Sequence, residues 1–205
     1  MIERNARSRV TPATTADTTL APEWAPAVDA QVTRTGTWIF LVADVFFFAA
    51  FFFAFFYLRA MNNNYQWLPA GTTHPTRGFG ALIVALVIAT ALLYWAAVRN
   101  VATARRWLWL ALIAGVAALG VQVYEFRHLG FDPQQGGGYP SVFVGLKGSL
   151  MVQFAAALLW MCTHIVQARP LGDLATRTAT AASFSNFLFF LAGVGLIAYL
   201  VLYFV

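Results

Sequence analysis

Charge is scarce in this 205-residue sequence: Asp, Glu, Lys and Arg together make up 10% of it, against about 25% in a soluble domain. A soluble globular chain of this size is therefore excluded. Cysteine is nearly absent, with Cys162 alone, so neither an intrachain disulfide nor a thiolate metal cluster can form. Histidine is limited to His74, His128 and His164. The first two fall in or beside predicted loops, and the third lies near the opposite end of a predicted helix. No pair is set to clamp a haem between helices, and nothing forms a His/Cys/Met copper cluster. The residues thus predict no haem, metal or other cofactor in this chain. A glycine-rich loop in phosphate-binding context is also missing, as is an internal repeat of the kind that builds transporters from inverted halves. The formal net charge of +5 would suit a nucleic-acid partner, but the basic residues are scattered among short loops, so no nucleic acid is predicted.

What the sequence has in abundance is apolar residues, 60% of the chain, including 19 Phe. The stretch around which they are organised is 36–59, GTWIFLVADVFFFAAFFFAFFYLR. Its piece from 37 to 58 is about 33 Å long as a helix, enough for a hydrocarbon core about 30 Å thick. Apolar residues fall on every face of it, so lipid must cover part of its surface. Within that run stands one ionisable side chain, Asp44. A carboxyl at such depth costs several kcal/mol, roughly, unless it faces protein, water or a partner. Two roles remain open for it, a packing group held by a hydrogen bond and a group that handles protons.

Four more apolar segments follow, at approximately 78–98, 107–126, 141–167 and 182–205. The predicted fold is therefore all-α, an integral membrane bundle of five transmembrane helices. Five crossings put the termini on opposite sides. Arg4, Arg7, Arg9, Arg34, Arg99, Arg105, Arg106, Arg169 and Arg177 then share one side, with Arg59, Arg77 and Arg127 on the other. The bias predicts a cytoplasmic N-terminus and an outside C-terminus. Trp38, Trp95, Trp107, Trp109 and Trp160 lie toward the cytoplasmic ends, as interfacial aromatics should. Residues 1–35 are polar and rich in Ala, Thr and Pro; they lack the apolar core of a secretory signal and read as a flexible cytoplasmic tail ahead of a membrane domain at 36–205.

The remaining polar residues inside helices are the other candidates. Gln122 and Glu125, three apart, share a helical face near the outer end of the third segment. Lys147 sits in the outer half of the fourth, at a depth comparable with Glu125, and an isolated charge there must snorkel outward or pair with an acid. The expectation is a Glu125–Lys147 contact, direct or through Gln122 or a water. Gln153 lies near the middle of the fourth segment, at the depth of Asp44 once tilt is allowed for. These two side chains are expected within hydrogen-bond distance.

Several ordered residues carry a family resemblance. Gly36, Trp38, Phe40, Leu41, Asp44, Phe47, Phe48 and Tyr57 resemble the first shared helix of subunit III of the haem-copper oxidases, G-x-W-x-F-L-x-x-E-x-x-F-F, with Asp44 in place of the family's Glu. Gln122-Val123-Tyr124-Glu125-Phe126 resembles its Q-x-x-E-Y/F element, and Tyr139, Ser141 and Phe143 resemble its Y-G-S-x-F-F helix opening. The chain departs from the family at T-G-F-H-G-x-H-V, where Leu150 and Gln153 replace both histidines. Gln153 would then supply the hydrogen-bond donor that the second histidine otherwise offers. The resemblance implies an accessory, cofactor-free subunit of a respiratory oxidase in a prokaryotic plasma membrane. It implies catalytic subunits I and II as partners, with haem and copper held there. It further implies a phospholipid cleft between the first two helices and the other three, for which Trp38, Phe47 and Phe48 are the candidates, and support for proton uptake. An accessory subunit of a nitric oxide reductase would share the fold. From another class, a small proton-coupled transporter would use Asp44, Glu125 and Lys147 as a relay.

Overall fold

The computed structural model describes residues 25–62, 67–68, 73–131, 137–167 and 174–205. They form five long helices and no strand: α1 (Ala25–Ala60), α2 (Arg77–Arg99), α3 (Ala104–Arg127), α4 (Gly138–Gln167) and α5 (Leu174–Phe204). All five are long and apolar enough to cross a membrane. Their membrane-spanning pieces agree with the five apolar segments of the sequence to within a few residues, except at one end. The chain is already helical at Ala25, so the last part of the stretch read as a tail is helical. The reason is that hydropathy locates the membrane crossing, whereas a helix continues until something stops it. No proline follows Pro26 within α1 to interrupt it. The resulting 36-residue helix is about 54 Å long, well beyond the hydrocarbon thickness. The rest of the predicted tail, 1–24, lies outside the described residues.

Successive helices run in opposite directions. The starts of α2 and α4 meet the ends of α3 and α5, where the Arg77 guanidinium donates to the Tyr203 carbonyl at 3.2 Å and the Tyr139 hydroxyl donates to the Leu202 carbonyl at 2.8 Å. At the opposite end Tyr94, His164 and Phe184 meet. The most extensive packing is between α2 and α3, which a short 3-10 turn at Val101–Thr103 connects. α5 touches α1, α2 and α4, and so lies at the centre of the bundle. α1 packs on α4 and α5 alone, and α1 and α2 are not neighbours.

Lipid supplies no hydrophobic drive between helices, so contact rests on packing and on small residues that let helices approach. Gly115 of α3 lies directly against Leu158 of α4, and Gly80 of α2 lies against the rings of Tyr199 and Tyr203. A Cβ at position 80 would stand 2.6 Å from Cζ of Tyr203, inside any real contact distance. The large buried side chains Phe48, Phe55, Tyr94, Tyr139, Phe143, Leu146, Met161, Leu188 and Leu191 fill the space between the helices.

Candidate functional site

Two polar sites are buried in the bundle, and α4 contributes to both. The first stands on the inward stripe of α1. Leu41, Asp44, Phe48 and Phe55 are its buried residues, at spacings of three, four and seven, which is one face of a helix. Asp44 is only 6% exposed. The Gln153 side chain on α4 donates from Nε2 to Asp44 Oδ1 at 2.8 Å, across 109 residues of sequence. The structure thus joins the two residues that the sequence places at one depth.

The second site lies toward the other end of α4, where α3, α4 and α5 meet. Lys147 Nζ stands 3.1 Å from Glu125 Oε2, with both side chains almost fully buried. Gln122 Nε2 donates to the same Glu125 oxygen at 3.2 Å. The Tyr203 hydroxyl donates to the other, Oε1. Lys147 also sits over the rings of Tyr203 and Phe143, at 5.3 and 5.8 Å from their centroids, where π-faces attract a cation. Two charges out of water cost several kcal/mol, roughly, each, and that cost is repaid only when the remaining lone pairs and protons are satisfied. The carboxylate here has three partners, which meets that condition. Next to it, Gln122 and Lys147 border a cavity of about 50 Å³ whose other walls are apolar, among them Val87, Leu150, Phe154 and Leu191.

Lys147 and Gln153 are about 9 Å apart along the axis of α4 and on different sides of it. Lys147 faces α3 and α5, whereas Gln153 faces α1. Leu150 and Phe154 line the cavity beside Lys147, so apolar surface continues that side of α4. Among the described residues no hydrogen bond links one site to the other.

The lipid-cleft candidates divide. Trp38 and Phe47 are 54% and 43% exposed, on the outer surface of α1. Phe48 is corrected: it is 1% exposed, part of the core, and packs toward Phe190 of α5. Residue 48 follows Asp44 by four and shares its inward face, while 47 is turned out by about 100°. The cleft itself does not form as expected either. It requires α1 and α2 to stand together against the other three, but α2 belongs with α3 and α5, and α1 with α4 and α5.

Sequence reasoning missed two participants. Tyr203 reads as an interfacial aromatic at the end of the last helix, and its reach to Glu125 depends on the rotation of α5 about its axis. His164 is more than a solvated helix-end residue. Its Nδ1 shares a hydrogen bond of 2.6 Å with the Tyr94 hydroxyl, and Trp160 and Phe184 surround the ring. The only sequence signal for it was a histidine and a tyrosine at matched depth on antiparallel helices. His74 is exposed and meets the Tyr139 ring edge-on, and His128 donates from Nδ1 to the Tyr124 carbonyl at 2.9 Å. Among the described residues, no three His, Cys, Asp or Glu side chains group together as metal ligands would.

No family model matches the chain. It is 25% identical over 181 residues to the cytochrome bo(3) ubiquinol oxidase subunit 3 of Pseudomonas putida, covering 84% of this chain and 86% of that protein. It is also 27% identical over 152 residues to the cytochrome c oxidase subunit 3 of Alkalihalophilus pseudofirmus, covering 67% of this chain and 69% of that one. The resemblance carried by Gly36–Tyr57 and Gln122–Phe126 therefore extends, at modest identity, over most of the chain.

Proposed function

We propose that this chain is the cofactor-free accessory subunit III of a respiratory haem-copper terminal oxidase, built into a prokaryotic plasma membrane with its N-terminus in the cytoplasm. The observation that carries the reading is similarity to two oxidase subunit 3 proteins across most of a five-helix bundle. In this role the chain packs beside catalytic subunit I and with subunit II, which hold the haem and copper where oxygen is reduced and protons are pumped. Its own contribution is a rigid apolar scaffold. The exposed Phe-rich surface of α1, including Trp38 and Phe47, takes phospholipid acyl chains or a partner helix. By steadying the catalytic subunit and its lipid boundary, the chain supports proton uptake there.

A transporter that relays protons through Asp44, Glu125 and Lys147 finds less support. Lys147 and Glu125 are committed to each other, and Asp44 lies on another side of α4. The decisive experiment is purification of the tagged chain from its native membrane. Copurification with a haem-bearing, oxygen-reducing chain is expected, with no stoichiometric haem or copper on the isolated subunit. A partner that reduces nitric oxide instead, or a chain that travels alone and transports, would overturn the reading.

A further inference from the structure

The Asp44–Gln153 contact is incomplete in a specific way. One hydrogen bond joins the two groups, Nε2 to Oδ1. The second oxygen of each, Asp44 Oδ2 and Gln153 Oε1, is buried and has no partner. A carboxylate only accepts hydrogen bonds, and so does a carboxamide oxygen. An ionised Asp44 would therefore leave two acceptors unpaired in one buried contact, each bearing its full desolvation penalty and the charged one the larger. No neighbour in the described residues relieves this. The one buried cation, Lys147, is held by Glu125. The Ser185 hydroxyl, also buried and unpartnered, reaches neither oxygen.

A single proton changes the balance. Placed on Oδ2, it makes that oxygen a donor, and the acceptor it needs is Gln153 Oε1. Nε2–H then gives to Oδ1 while Oδ2–H gives to Oε1, closing an eight-membered ring between acid and amide. The last torsion of each side chain is sp³–sp² and soft, which lets the acid and the amide turn toward a common plane. We propose that Asp44 and Gln153 form a neutral acid–amide ring that keeps one proton and fastens α1 to α4 without charge. The pair is a proton-holding lock, and a proton antenna would need the opposite, an acid that releases readily. The proposal rests on the geometry of the pair and is independent of which catalytic chain the protein accompanies.

The test is infrared absorption of the full chain in its native complex, with the side-chain carboxyl of aspartate labelled with carbon-13. One labelled carboxylic-acid carbonyl band should persist at neutral and mildly alkaline pH, where solvated aspartates show only carboxylate bands. Asp44→Asn should abolish it. Gln153→Leu should move it to higher frequency, because the carbonyl loses the amide donor. The proposal is overturned if Asp44 contributes carboxylate bands at neutral pH, or if its acid band is unmoved in Gln153→Leu. Should Asp44→Asn fail to assemble, the wild-type band and its shift in Gln153→Leu still decide.

Discussion

The two polar sites on α4 solve the same problem in opposite ways. Around Glu125, charge is retained and surrounded: a lysine, a glutamine and a tyrosine from three helices converge on one carboxylate. Around Asp44, a single amide meets the acid, and the contact ties only α1 to α4. α3, α4 and α5 each send a side chain to Glu125, whereas α4 alone supplies the hydrogen-bond partner of Asp44. A buried carboxyl thus keeps its charge where partners are plentiful and relies on hydrogen-bond matching where they are few.

Substitutions at the two sites can break this contrast, and the largest effect belongs to the charged one. Lys147→Met leaves Glu125 buried without its cation and should cost about 3–5 kcal/mol, measured as thermal unfolding of the detergent-solubilised protein. Combining it with Glu125→Gln should recover a sizeable part of that loss. Strict additivity of the two changes would mean that the ion pair contributes nothing, and the contrast would fail. Gly80→Ala comes next, at about 1–3 kcal/mol from overpacking, because the new methyl drives Tyr203 off its seat and away from Glu125. Its effect should be non-additive with Tyr203→Phe; independent losses would show that Gly80 matters only for helix spacing.

At the Asp44–Gln153 site the effects are smaller. Gln153→Leu should cost about 1–2 kcal/mol, the penalty of a buried polar group left unmatched, again read from thermal unfolding. Asp44→Asn should change stability by less than about 1 kcal/mol, since an amide at position 44 still offers both a donor and an acceptor to Gln153. Equal losses from Asp44→Asn and Lys147→Met would erase the distinction between the sites.

Much of this architecture was legible in the sequence, because a bilayer imposes one dominant rule. Five apolar runs of sufficient length give five helices, and the depth of each polar residue follows from counting along them. Depth alone paired Asp44 with Gln153 and Glu125 with Lys147. Rotation and neighbour choice were not legible. An aromatic such as Phe48 in an all-apolar helix carries no mark of whether it faces lipid or protein, and Tyr203 shows no trace of the carboxylate it meets. The family resemblance implied that α1 and α2 would stand together, yet α1 packs on α4 and α5, and α2 on α3 and α5. The helical state of 25–35 was hidden for a different reason: polar residues can continue a helix that lipid does not touch.

The separation of α1 from α2 has a consequence for biosynthesis. Asp44 is made 109 residues before Gln153, an interval of at least about 5–20 s at roughly 5–20 residues per second. α1 therefore leaves the ribosome, and enters the bilayer, long before α4 exists to receive it. During that time its carboxyl has no mate, and α2 and α3 can already close on each other through their short connection. The Phe-rich run around Asp44 then has a task unrelated to the finished bundle. Its insertion free energy, about −0.3 to −0.6 kcal/mol for each phenylalanine near the helix centre, must outweigh an aspartate penalty of about 2.5–3.5 kcal/mol until the partner arrives. The abundance of phenylalanine in α1 is thus a provision for waiting.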